Sequence, residues 1–277
     1  MISVESVKIY FDPRCPWCYL TSKWAWRLAE LGEVELDWGL FCLEILNLPE
    51  GADPLELEAI SGPALRCAVA IREKAGSKAI GPFYRALARR TWESRPPAPD
   101  LVVAVRESVV EAGFDAELFD AALADPQTWA AVVAEHQALI DRARSIGVPT
   151  IALDGGDGPM IFGPVLNRMP SDEEAVELWR HVSWLVRYDN FSELKRGRLG
   201  PPTLPAVFFD DGARTPWWPW GQRPWAAPEP APEPGKQQPE TTTATTTETT
   251  ATTTGTTATT TGTTATATGT EQNGAGR

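Results

Sequence analysis

Cys15 and Cys18 stand two residues apart in FDPRCPWCYL, directly after the apolar run KIYF. Such a pair can be half of a zinc site, a structural disulfide or a redox-active dithiol. Zinc needs a second close pair of thiols or imidazoles. Cys42 and Cys67 stand alone, and His136 and His181 have no partner nearby in sequence, so no metal is expected. MISVESVKIY has neither the basic start nor the apolar stretch of a secretory signal, and the chain reads as cytoplasmic. In that reducing compartment a permanent disulfide is out of place, and the balance favours redox chemistry.

The chemistry has a division of labour. Cys15 is expected at the start of a helix, where free backbone N–H groups and the helix dipole favour an anion and lower a thiol pKa. It is the candidate attacking thiolate. Cys18, one turn further in and less exposed, is the candidate resolving thiol that expels a mixed disulfide. Pro16 sits in the first turn, where its missing N–H costs nothing. Trp17 is placed on an exposed rim, as a flat apolar surface for an aromatic substrate, with packing on the helix face as the competing reading. Cys42 and Cys67, in apolar contexts, read as small buried hydrophobes.

The elements that must hold this dithiol are legible in outline. Val7–Phe11 reads as a strand and a helix runs from Pro16, with Trp17, Leu20, Trp24, Leu28 and Leu31 at helical spacing and Gly32 as its stop. Val34–Cys42 is a second strand, parallel to the first if a right-handed crossover joins them. From Asp53 to Gly147 the pattern is helical, punctuated by Gly-Pro and Asp-Pro steps into four or five helices. Thr150–Asp154 and Met160–Phe162 read as strands around a glycine-rich turn, and Gly163-Pro164 as a further turn. A last helix starts at Ser171, where Ser171 and Glu174 form a capping box. His136 lies on an apolar helical stripe and reads as a buried core histidine; the rival reading puts it in a cleft near the dithiol. His181 reads as a solvated partner of Glu177.

The resulting fold class is α/β, with residues 1–52 and 148–200 forming the core, 53–147 a helical insertion and 201–226 a Pro/Trp-rich arm. Residues 227–277 contain no Val, Ile, Leu, Met, Phe, Tyr or Trp and read as a disordered Thr/Ala/Gly-rich tail. A net charge of −12 argues against a nucleic-acid partner, and no apolar run is long enough to cross a bilayer.

At these residues the chain resembles the thioredoxin superfamily, in its DsbA-like branch with a helical insertion. GVPT, Gly147–Thr150, supports the likeness, because the superfamily carries a cis-proline loop there; Val148, Pro149 and Thr150 are thereby implied as a substrate-binding loop facing the dithiol. FDPRCPWCYLTSKW, GVPTIAL, IFGPVLNRMP, EEAVELW and FSELKR are similar to the mycothiol-dependent nitroreductase family over about residues 5–205. That resemblance implies a cytosolic dithiol reductase of nitroaromatic or other small electrophilic compounds. It would bind no cofactor, with mycothiol as thiol co-substrate and a mycoredoxin-type reductant as a further partner. A protein disulfide oxidase or isomerase and a non-catalytic binding module are the alternatives.

Overall fold

The structure, a computed structural model, describes residues 4–95, 98, 100–143, 147–197 and 200–208. Its sheet is built around β1 (Glu5–Phe11), whose Val7, Ile9 and Phe11 are buried. α1 (Pro16–Glu30) leads to β2 (Val34–Leu40), which pairs in parallel with β1, Ile9 opposite Trp38. β3 (Thr150–Ala152) lies antiparallel on the other side of β1, and β4 (Met160–Phe162) antiparallel to β3. The order β2-β1-β3-β4 puts sequence-distant β3 beside β1 and brings its preceding loop to the end of β1 that carries the cysteines.

β2 ends two residues earlier than expected, at Leu40. Phe41 N–H still reaches the Phe11 carbonyl, but the next two N–H groups go to side chains: Cys42 to His136 Nδ1 and Leu43 to Asp12 Oδ2. The chain turns there into the short α2 (Leu43–Leu46). β3 likewise stops at Ala152, where Leu153 N–H turns to the Pro159 carbonyl.

Five α-helices follow among the described residues before β3: α3 (Gly62–Ala75), α4 (Ile80–Ala88), α5 (Leu101–Glu111), α6 (Glu117–Ala124) and α7 (Pro126–Ala143). One hydrophobic cluster runs from the sheet into these helices. α4 is fastened through an aromatic group in which Tyr84 stacks on Phe11 at 3.8 Å and packs near Trp26 and Trp38. Gly81 lets it approach, since a Cβ there would stand 2.6 Å from Trp38 Nε1. On α7, Glu135 accepts the Leu40 N–H at 3.1 Å and pairs with Arg72, so a side chain covers part of the open edge of β2.

α8 (Asp172–Arg187) begins with the expected capping box: Ser171 Oγ accepts the Glu174 N–H, and Glu174 accepts the Ser171 N–H. It packs on α1 through Trp24 and Trp179, and Trp24 Nε1 donates to the Ala175 carbonyl at 3.1 Å. Leu204 and Ala206, at the start of the Pro/Trp-rich arm, are buried. The remainder of that arm and the tail at 227–277 lie outside the described residues.

Candidate active site

The end of β1 and the start of α1 set the position of the dithiol. Asp12 closes the turn between them: its Oδ1 accepts the Arg14 N–H at 2.7 Å, and its carbonyl accepts the Cys15 N–H at 3.0 Å. Cys15 is thereby left in an extended conformation as the N-cap of α1, with Pro16 in the first turn. The Cys15 sulfur occupies the place of a capping oxygen and accepts the Cys18 N–H at 3.3 Å. Such a position offers hydrogen-bond donors and the positive end of the helix dipole to negative charge. Both thiols are free; Cys15 retains 6% of its surface and Cys18 none. Burial first, and the adjacent Cys15 sulfur second, hold the Cys18 thiol well above the ordinary thiol range.

The loop before β3 faces this helix start. The Val148 carbonyl is 4.0 Å from Cys15 Sγ, and the Val148–Pro149 peptide is cis. Thr150 is buried and donates to the Gly147 carbonyl at 2.8 Å, which folds the loop on itself. The Gly163–Pro164 turn is tied to the same place: its peptide is also cis, Gly163 N–H donates to the Pro149 carbonyl, and Thr21 of α1 donates to the Pro164 carbonyl at 2.7 Å. Gly147, with φ of 145°, enters the loop in a conformation L side chains rarely adopt, and a Cβ there would touch Leu43, Leu46 and Phe162 at 3.7–4.0 Å. Those three side chains form an apolar lip beside the loop.

Two expected placements are corrected or refined. Trp17 is not on an exposed rim: it keeps 7% of its surface and belongs to the hydrophobic cluster, because so large an apolar ring at a helix start gains more by packing than by standing in water. His136 is a buried, neutral core histidine, its ring tilted against that of Phe41 at 4.1 Å, with burial lowering its pKa to about 4. Its Nδ1 accepts from Cys42, so it supports the chain that leaves β2. Burial likewise pushes the thiols of Cys42 and Cys67 up to about 12, which leaves them inert near neutral pH. His181 is exposed beside Glu177 at 3.1 Å. Among the described residues no three His, Cys, Asp or Glu side chains come together to hold a metal ion, and no helix is long and apolar enough to cross a membrane.

Sequence reasoning passed over Asp12 and Glu44. Asp12 is almost fully buried and its pKa is raised to about 6, by burial first, while the Leu43 and Arg14 N–H groups pull the other way. The signal was present: a carboxylate in the turn that leads into C-x-x-C must spend its oxygens on nearby N–H groups. Glu44 accepts from Arg14 Nη1 at 3.4 Å and from Ser61 N–H and Oγ at 3.0 Å, joining the dithiol turn to the start of α3. No local pattern announces that contact.

A dithiol at a helix start facing a proline loop, carried on this strand order with helices inserted between β2 and β3, makes this a thioredoxin-like fold of the oxidoreductase class. Within that class, the chain belongs to the Rv2466c-like family, whose description is mycothiol-dependent nitroreductase Rv2466c and whose model matches residues 14–196. It is 33% identical over 197 residues to the protein Rv2286c of Mycobacterium tuberculosis, across 70% of this chain and 82% of the relative. Among solved structures it is similar to the cytosolic disulfide reductase DsbM from Pseudomonas aeruginosa, with 20% identity, a TM-score of 0.44, and coverage of 65% of this chain and 99% of that one. It is also similar to the thiol-disulfide exchange protein alpha-DsbA2 from Wolbachia pipientis, with 14% identity, a TM-score of 0.42, and coverage of 66% and 83%.

Proposed function

We propose that this chain is a cytosolic, mycothiol-dependent dithiol reductase of small electrophilic compounds, nitroaromatic ones among them. The observation that supports it most is the Cys15 sulfur held as the N-cap of α1 against the Val148 carbonyl, with Cys18 behind it. The description of the family, mycothiol-dependent nitroreductase, supports the choice of thiol donor and substrate class. Cys15 is the nucleophile and Cys18 the resolving thiol. Leu43, Leu46 and Phe162 receive the ring of the substrate, and Val148, Pro149 and Thr150 form the wall opposite the sulfurs.

The electron balance is that of a two-electron couple. The dithiol gives two electrons and two protons to a nitro group, which becomes a nitroso group and water, and the Cys15–Cys18 disulfide forms. Mycothiol thiolate then attacks Cys15 and makes a mixed disulfide, and Cys18 leaves with the electron pair. A second mycothiol, or a mycoredoxin-type protein thiol, takes the first from Cys15 and restores the dithiol.

The test is consumption of a nitroaromatic probe in three mixtures: NADPH alone, NADPH with mycothiol and its reductase, and NADPH with thioredoxin and its reductase. Turnover confined to the mycothiol mixture is expected. Equal turnover with thioredoxin would make the chain a general disulfide reductase. Turnover with NADPH alone would refute the dithiol mechanism, and no turnover in any mixture would favour a binding module.

A further inference from the structure

Two buried hydroxyls, on Ser22 and Tyr84, make no well-formed hydrogen bond among the described residues. Ser22 follows Cys18 by four residues on α1, so the two side chains share one face of that helix, and neither has any exposed surface. Tyr84 comes from α4 and is also fully buried, its ring stacked on Phe11 at the end of β1. Neither the Ser22 hydroxyl nor the Tyr84 hydroxyl has a partner at hydrogen-bond geometry among the described residues. Ser22 lies close enough to Tyr84 to favour its ionisation slightly, but no well-formed bond joins them.

Unpartnered buried hydroxyls cost stability, and both are avoidable. Phenylalanine at position 84 would keep every ring contact, and alanine at 22 would keep the helix. Burial first, and then negative charge on Cys18 and Cys15, keep the Tyr84 phenol protonated as a donor. The need for donors arises on the sulfur of Cys18. When a thiolate attacks Cys15 of the oxidised enzyme, the Cys15–Cys18 bond breaks and its electron pair stays on Cys18, in a site with no water access. Asp12 acts in both directions there: its backbone N–H favours a Cys18 thiolate, while its carboxylate, of the same sign, opposes it.

We propose that the Tyr84 and Ser22 hydroxyls donate hydrogen bonds to the Cys18 sulfur as it becomes a thiolate, so that the inserted helix α4 supplies part of the leaving-group stabilisation. The proposal rests on the dithiol reading above but not on mycothiol as the donor. Tyr84 and Ser22 keep their own protons; the proton that makes Cys18 a thiol comes from solvent, to which the attacking thiol lost its own. The hydroxyls act on the transition state, where charge develops on sulfur.

The experiment follows reduction of the oxidised full chain by dithiothreitol in stopped flow, in wild type, Tyr84→Phe, Ser22→Ala and the double variant, with melting temperature measured on each. Dithiothreitol makes the result independent of the physiological thiol. Tyr84→Phe is expected to slow disulfide opening about tenfold, the low end of a hydrogen bond to a charged group. Ser22→Ala should slow it less, and melting temperatures should hold or rise. In a Cys15→Ser background, the pH profile of Cys18 alkylation should move to higher pH when Tyr84→Phe is added. Wild-type rates and an unmoved alkylation profile in both variants would overturn the proposal. So would a slower Tyr84→Phe that also melts lower while Ser22→Ala keeps the wild-type rate.

Discussion

At the scale of single residues, the two cysteines differ in kind. Cys15 caps a helix and keeps a little surface, while Cys18 is sealed behind it. Cys15→Ser should therefore abolish turnover, and Cys18→Ser, given oxidised mycothiol, should exchange one mycothiol onto Cys15, release the other as thiol and retain the mixed disulfide as one mycothiol of added mass, read by intact-protein mass spectrometry. If Cys18 is alkylated faster than Cys15 at neutral pH, the roles are reversed.

A second residue-scale expectation concerns pH. Asp12 and His136 take neighbouring backbone N–H groups, those of Leu43 and Cys42. Asp12 has its pKa raised from 3.8 to about 6, so the folded state holds that proton longer and stability is lost as pH rises across this window. His136 has its pKa lowered from 6.5 to about 4, so the unfolded state protonates first and stability is lost as pH falls across nearly the same window. Each shift corresponds to about 3 kcal/mol, and the two oppose each other. Asp12→Asn should make stability rise more steeply with pH than in wild type, and His136→Gln should tilt it the other way. Urea unfolding from about pH 4 to about pH 6.5 checks both, as differences from wild type; parallel curves would mean that neither group is perturbed.

At the scale of elements, α4 and α8 are held on the core by different devices. α4 depends on a missing side chain: Gly81→Val would drive a Cβ into Trp38 and should cost about 1–3 kcal/mol or more. The same change displaces Tyr84 relative to Phe11, so the variant should also open its disulfide more slowly. α8 depends on its cap, and Ser171→Ala should lower stability by about 1 kcal/mol with no effect on thiol chemistry, since the cap is remote from Cys15. Chemical denaturation with parallel thiol-exchange kinetics separates the two cases.

At the scale of the whole molecule, the sequence beyond Trp225 brings no large apolar side chain that could join a core. Truncation after Trp225 removes no Val, Ile, Leu, Met, Phe, Tyr or Trp, so melting temperature and turnover should stay at wild-type values. A fall in either would show that the tail assists the catalytic unit.

What the amino-acid sequence determined by itself was local. Helical spacing marked α1 and α8, Ser171 and Glu174 marked a cap that formed as read, and C-x-x-C after an apolar run marked the helix start. These are events within a few residues, where propensity and hydrogen bonding leave little choice. Tertiary structure alone decided the rest. Trp17 went inward, although one turn of helix cannot show which side of Cys15 the core will occupy. β2 stopped at Leu40 because Asp12 and His136, 31 residues before and 94 after the N–H groups they capture, take the next two donors away from the ladder. Tyr84 reached Phe11 at the end of β1 for the same reason: sheet order and helix packing, not spacing along the chain, determine which buried rings meet.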